Sequence, residues 1–70
     1  MHNEYTAVMK QDRNWWIGWI EEVPGVNCQE RTQEELIETL KVTLREALKL
    51  NREDALAAAG PTYTEEKIAI

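Results

Sequence analysis

Large apolar side chains fill consecutive positions in residues 14 to 22, which read NWWIGWIEE. Successive side chains of a strand point to opposite faces, so a strand here would present two separate rows. These rows are Trp15, Ile17 and Trp19 on one face, and Trp16, Gly18 and Ile20 on the other. Both rows are apolar. The pattern therefore predicts a strand whose two faces are each buried, against another part of the chain, a second copy or a partner.

Two further strands are predicted on either side of this segment. Residues 4 to 10, EYTAVMK, are rich in strand formers, and the polar residues 11 to 14, QDRN, predict the turn of a hairpin. After the central strand, about residues 14 to 22, Pro24 lacks an amide hydrogen for a ladder and Gly25 tolerates positive φ. We therefore expect a turn there and a third strand over residues 26 to 30, which completes an antiparallel meander.

A long amphipathic helix is predicted next. Thr32 and Glu35 have the spacing of a capping box, in which the Thr32 hydroxyl accepts from the Glu35 amide and the Glu35 carboxylate reaches the Thr32 amide. The helix should therefore begin at Gln33. Apolar residues then recur at spacings of three and four, which predicts one stripe facing the sheet. The stripe comprises Leu36, Ile37, Leu40, Leu44, Ala47 and Leu48.

The end of the chain leaves one question open. Residues 51 to 59 could continue the helix or form a short second one, and Gly60 with Pro61 ends whichever is present. In EEKIAI, residues 65 to 70, two Ile alternate around an Ala, which predicts a short final strand. The expected fold class is α+β, a three-stranded antiparallel meander with one long helix on one face and a short C-terminal strand, in βββαβ order.

Glycine decides which face of the central strand meets the helix. A helix lying across a sheet needs a small residue at its closest approach, so we assign the face containing Gly18 to the helix. Trp15, Ile17 and Trp19 then face away from it. Exposed aromatic residues on this scale favour an oligomer or partner interface. The alternative is ordinary core, if residues 51 to 60 or the chain ends lie over this row.

Composition limits the possible partners. The 70 residues predict one domain, residues 1 to 70, and a domain this small often needs a disulfide, a metal or oligomerisation for stability. The single cysteine excludes an internal disulfide and favours a reducing compartment. Eight Lys and Arg against 13 Asp and Glu give a formal net charge of −5, which disfavours direct nucleic-acid binding and suits a basic protein partner. The chain lacks a signal-peptide pattern and a long apolar run, so we expect a cytoplasmic protein without a membrane segment.

An enzyme is not expected. Glu21 and Glu22 are adjacent and so point to opposite faces, and no set of carboxylates is placed for catalysis. Cys28 has no basic neighbour that would activate its thiol, so a plain strand residue is favoured over a reactive one. We therefore predict no catalytic residues, no cofactor and no metal site. Candidate contacts to a basic partner are the acids Glu21, Glu22, Glu34, Glu35 and Glu38; the alternative is that they are solvated surface residues.

The order of these features resembles the HicB-like antitoxin family of type II toxin-antitoxin systems. Residues 15 to 36, WWIGWIEEVPGVNCQERTQEEL, followed by IETLKVTLREAL, match its aromatic strand, Pro-Gly turn, short polar strand and capped helix. In this match Pro24 and Gly25 form the turn, and Thr32 and Glu35 form the cap. The resemblance implies a partial ribonuclease H-like fold and a partner, a small basic HicA toxin that cleaves messenger RNA. Many relatives also carry a DNA-binding domain, which we do not expect within residues 1 to 70.

Two hypotheses follow. The first is a non-enzymatic, self-associating antitoxin, a dimer or tetramer, that buries Trp15, Ile17 and Trp19 at an interface and neutralises a basic toxin. The second is an orphan self-associating module that binds RNA or a small ligand by stacking on the same aromatic face.

Overall fold

The computed structural model describes residues 4 to 69, which form one sheet and one helix. The strands are β1 (Ala7–Asp12), β2 (Trp15–Ile20) and β3 (Asn27–Glu30), and the helix is α1 (Gln33–Ala59). The sheet has the order β1-β2-β3 with both pairs antiparallel. The predicted α+β class, the meander and the single long helix are therefore confirmed.

The strand boundaries differ from the predicted ones, most of all in the first hairpin. β1 begins at Ala7 rather than at residue 4 and continues through Gln11 and Asp12, which were predicted to belong to the turn. Asp12 pairs with Trp15, so the turn contains only Arg13 and Asn14. Arg13 takes a positive φ of 59°, a conformation that the sequence pattern does not announce. β2 and β3 lie within their predicted ranges but are shorter.

The predicted turn before β3 and the predicted cap of the helix are both present. Gly25 has a φ of 92° in the turn before β3, and Thr32 is the N-cap of α1. The Glu35 amide donates to the Thr32 hydroxyl oxygen at 3.1 Å, as expected for a capping box. The second contact differs, because the Glu35 carboxylate accepts from the Thr32 hydroxyl at 2.9 Å rather than from the Thr32 amide. The cap is therefore held by two contacts to one hydroxyl.

The helix is continuous through residues 51 to 59, which answers the question that the sequence left open. It ends at Gly60, where φ is 81° and the amide donates to the Ala57 carbonyl at 3.3 Å. Its 27 residues span about 40 Å, twice the roughly 20 Å of a six-residue strand. The molecule is accordingly elongated, at 50 × 23 × 15 Å. The second half of α1 therefore projects beyond the sheet, and we call residues 49 to 59 the overhang.

The core lies between α1 and the sheet. Leu36 and Leu40 are the two buried residues of the helix, and they pack against β2 and the segment leading into β3. The buried set is Ile20, Val23, Val26, Leu36 and Leu40. Leu44, Ala47 and Leu48 are half-buried against it, whereas Ile37 is exposed at the side of the stripe. The helix contacts β2 and β3 more than β1, so part of the inner face over β1 stays open.

The predicted C-terminal strand is not seen in residues 65 to 69. This segment has no strand structure, and Ile70 lies outside the described residues. The Arg52 guanidinium lies 3.8 Å from the Glu65 carboxylate, so the chain turns at Gly60 and runs back beside the overhang. Two alternating Ile residues are too few to form a strand without a partner edge, and Ile68 remains 81% exposed. Between residues 4 and 69, α1 is the only helix, and it is not apolar enough to cross a membrane.

Candidate functional site

The candidate site is the side of the sheet that faces away from α1, which we call the outer face. Residues paired across neighbouring antiparallel strands share a face, so the register identifies its members. Three rows run across the strands of the sheet. They are Val8, Trp19 and Asn27; Lys10, Ile17 and Gln29; and Asp12 with Trp15. The predicted row of Trp15, Ile17 and Trp19 therefore forms the centre of this face.

No described element covers the outer face. Trp15 and Trp19 are 36% and 37% exposed, which is high for two indoles at the centre of a sheet. Residues 51 to 59 belong to the overhang and residue 65 lies beside it, so neither passes over the Trp row. Residues 51 to 60 therefore do not make this row ordinary core; the other half of that alternative, coverage by the chain ends, concerns residues 1 to 3 and 70, which lie outside the described residues. An open apolar face of this kind is typical of an interface.

Arg31 adds a cation to the outer face. Its guanidinium carbon lies 4.2 Å from the centre of the Trp15 ring, the geometry of a cation–π contact. Arg31 was not among the residues predicted from the sequence, although the alternation of Asn27 and Gln29 in β3, extended by two positions, leads to it. Such a contact contributes about 0.5–1 kcal/mol at an exposed site and restricts the orientation of the indole.

The charge of the outer face differs from that of the whole chain. Lys10 and Arg31 are basic and Asp12 is acidic, so these groups sum to one positive charge, whereas the chain has a net charge of −5. A shallow depression of about 440 Å³ lies beside Ile17 and Trp19 and reaches β3. The outer face therefore combines exposed indoles with a local positive charge.

The inner row confirms the assignment of the two faces. Ile20 is buried, Trp16 is half-buried, and a β-carbon at Gly18 would lie 3.0 Å from Leu36 Cδ2. Cys28 is also half-buried on this side, and its thiol donates to the Thr43 hydroxyl at 3.4 Å. This contact explains Cys28 as a packing residue between β3 and the helix.

The candidate acidic contacts fall into two groups that the structure does not bring together. Glu21 and Glu22 follow β2 at the end of the sheet where β3 begins. The Thr6 hydroxyl donates to the Glu22 carboxylate at 2.6 Å and the Thr6 amide donates at 2.7 Å. These two bonds, the hydroxyl bond first, hold the pKa of the Glu22 carboxyl below its usual range. Glu22 therefore has a structural role in holding the segment before β1.

The second acidic group surrounds the start of α1, at the opposite end of the sheet. Glu34, Glu35 and Glu38, together with Glu30 and Thr39, line a shallow depression with a volume of about 390 Å³. The Thr39 hydroxyl donates to Glu30 at 2.7 Å, and Lys41 lies 3.4 Å from Glu38 in an exposed ion pair. Glu30, Glu35 and Glu38 thus have partners within the chain, Glu35 through its contact with Thr32. Among residues 4 to 69, no three His, Cys, Asp or Glu residues are placed to hold a metal ion.

A second groove lies where the helix leaves the inner face open over β1. It has a volume of about 340 Å³, and its walls include Tyr5, Ile37 and Leu44. The helical stripe predicted the position of Ile37 and Leu44 but not the off-centre position of the helix that leaves them partly uncovered.

No protein-family model, curated protein or solved structure matches this chain. The functional conclusion therefore depends on the sequence pattern and on the geometry of the outer face.

Proposed function

We propose that this protein is a non-enzymatic interaction module, a single-domain HicB-like antitoxin that binds and neutralises a small basic HicA-type toxin in the cytoplasm. The observation that carries the proposal is the uncovered row of Trp15, Ile17 and Trp19 on a chain with a net charge of −5. The apolar face would provide the binding energy for self-association, while the acidic surface attracts the basic toxin. Self-association as a dimer or tetramer is part of the same proposal.

The order of elements supports the family part of the proposal. An aromatic strand, a Pro-Gly turn, a short polar strand and a capped helix follow one another in the structure as they do in the sequence motif. The finer part, a partial ribonuclease H-like fold, needs a final strand from residues 65 to 70. β1 is an edge strand with one unpaired side, so the sheet has room for that strand in the assembled protein.

The acids at the start of α1 are suited to recognising a basic toxin. Glu34 is exposed and has no hydrogen bond or ion pair among the described residues, and Glu38 has only the exposed contact to Lys41. Exposed charges of one sign accelerate association with an oppositely charged partner and make the rate depend on salt. We therefore place the first toxin contacts at this end of the molecule.

The test is binding to purified HicA-type toxins and inhibition of their cleavage of a messenger RNA. Wild-type protein should suppress cleavage at equimolar concentration. Glu34→Gln with Glu38→Gln should lower the association rate about tenfold at low salt. The matched control, Glu53→Gln with Asp54→Asn in the overhang, removes the same charge and should have a much smaller effect. Failure of every folded toxin to bind would contradict the proposal.

The alternative function, binding of RNA or a small ligand, is favoured by one observation. Lys10 and Arg31 lie among the exposed indoles, so the outer face offers stacking surfaces with positive charge beside them. Titration with single-stranded RNA, followed by Trp fluorescence at low and high salt, tests it. Salt-sensitive quenching that Trp19→Ala removes would support this function, and an unchanged spectrum would exclude stacking on this face.

A further inference from the structure

Two opposite charges stand at the two sides of Trp15 on the outer face. Asp12 pairs with Trp15 from β1, and Arg31 lies against the Trp15 ring from the other side. Two strand spacings, about 10 Å, separate the backbones of Asp12 and Arg31, with the indole between them. The structure records no ion pair for either residue among residues 4 to 69. Each charge is thus available to a group that approaches the outer face.

We propose that this group belongs to a second copy of the chain. The outer faces of two copies pack together about a two-fold axis parallel to β2, so that Asp12 of each copy pairs with Arg31 of the partner subunit. This inference rests on the self-association in the proposed function and adds the orientation of the two subunits and the residues that fix it.

The symmetry follows from the positions of the residues on the three strands. Rotation about an axis along the central strand exchanges the two edges of the sheet and keeps each residue at its height along the strand. Asp12, at the β1 edge, then faces Arg31 of the partner subunit at the β3 edge. Trp15 then faces Trp15 of the partner subunit, and Trp19 faces Trp19 of the partner subunit. The exposed indoles of the two copies are thereby brought together. The charges pair twice, once on each side of the axis.

The other simple orientation is disfavoured by the same charges. A two-fold axis perpendicular to the strands places β1 opposite β1 and β3 opposite β3 of the partner subunit. It reverses the order of positions along each strand. Lys10 would then face Lys10 of the partner subunit, and Asp12 would face the partner's Val8. Two like charges would meet, and Asp12 and Arg31 would remain unpaired. Electrostatic complementarity therefore selects the axis along β2.

The dimensions of the face are compatible with this arrangement. Packed sheets lie about 10 Å apart, a distance that an extended Arg and an Asp side chain can bridge together. The face measures about 15 by 20 Å, from three strands about 4.8 Å apart and about 3.3 Å per residue. The footprint is about 300 Å² per subunit, which is smaller than a standard interface and typical of a weak, transient one, so the dimer should dissociate on dilution at micromolar or higher concentration.

The test measures the dimer dissociation constant by sedimentation over a dilution series. Asp12→Arg and Arg31→Asp should each raise this constant about tenfold, because each creates two pairs of like charges. The double variant restores both pairs with reversed sign, and its constant should return to within about threefold of wild type. Arg45→Asp, on the helix at the other side of the sheet, makes the same charge change as Arg31→Asp and should have little effect.

The outcomes separate this inference from the proposal on which it rests. If Trp19→Glu dissociates the dimer but the double charge variant shows no recovery, the outer face is the interface and the orientation is wrong. Tighter association of Lys10→Gln, together with a double charge variant that shows no recovery, would point to the axis across the strands and would also overturn the inference. A wild-type protein that stays monomeric at all concentrations would overturn self-association itself. Circular dichroism of every variant checks that it is folded.

Discussion

A β-carbon on Gly18 would lie 3.0 Å from Cδ2 of Leu36, because the helix passes closest to the sheet at this glycine. The same β-carbon would lie 3.1 Å from the Val8 carbonyl oxygen and 3.2 Å from Leu40 Cδ1. The Val8 oxygen is part of the sheet backbone and cannot rotate away. The close approach of α1 to β2 therefore depends on the absence of a side chain at Gly18.

We expect Gly18→Val to destabilise the fold by about 2–3 kcal/mol, since overpacked side chains force shifts in the helix and the sheet. Gly18→Ala should cost less, about 1 kcal/mol, because a single methyl needs smaller adjustments and Ala is less flexible than Gly when unfolded. Urea denaturation measures both values. Equal stability of the Val variant and wild type would contradict the close packing of α1 on β2.

The buried half of the helical stripe should dominate stability. Leu36 has no exposed surface and Leu50 is 58% exposed on the same helix. Leu36→Ala should destabilise by about 3 kcal/mol, out of about 4–10 kcal/mol for a domain of this size. Leu50→Ala is the matched control and should change stability by less than about 0.5 kcal/mol. Similar losses in the two variants would show that the overhang is packed against another surface.

The sequence predicted the features that are set by local chemistry. The capping residues fixed the start of the helix at Gln33, the turn at Pro24 and Gly25 was placed correctly, and Gly18 identified the face that meets the helix. Each of these depends on a conformational or steric property of one or two residues. Such properties are visible in the sequence without knowledge of the rest of the fold.

The features that were missed depend on contacts between distant residues. The positive φ of Arg13 follows from the pairing of Asp12 with Trp15, which a strand pattern alone does not specify. The off-centre position of the helix and the contact of Arg31 with Trp15 require the packed structure. The final strand is not seen in residues 65 to 69, because an Ile-Ala-Ile pattern shows strand propensity but not whether a partner edge is within reach.

The helix cap gives a third prediction. The Thr32 hydroxyl accepts from the Glu35 amide and donates to the Glu35 carboxylate, so its removal leaves a helix-terminal amide without its partner. Thr32→Ala should therefore destabilise the protein by about 1 kcal/mol. Thr64→Ala in the exposed tail is the control and should have almost no effect. A neutral Thr32→Ala variant would mean that solvent replaces the cap fully.

The lowered pKa of Glu22 predicts that the stability of the fold depends on pH. Its pKa is lowered in the folded protein by the hydroxyl and the amide of Thr6. A lowered folded pKa contributes stability above the unfolded pKa, and this contribution is lost as the pH falls through the folded value. Stability should thus decline below about pH 4. Thr6→Val removes the hydroxyl bond and should raise the Glu22 pKa toward its usual range, measured by carbon NMR of the carboxyl. An unchanged pKa would show that the hydroxyl bond is absent in solution.

The overhang should be the least protected part of the helix. Residues 49 to 59 are exposed except for Leu56, whereas residues 36 to 48 carry the stripe that packs on the sheet. Helical hydrogen bonds open locally where few apolar contacts hold them, so amides of residues 53 to 59 should exchange at least about tenfold faster than those of residues 40 to 48. Hydrogen exchange followed by NMR measures this gradient. Asp12→Arg, which should weaken the dimer, is the control, since the proposed interface lies on the outer face and does not include the overhang. Uniform protection along α1 that is lost on dilution would instead place the overhang in an interface between copies.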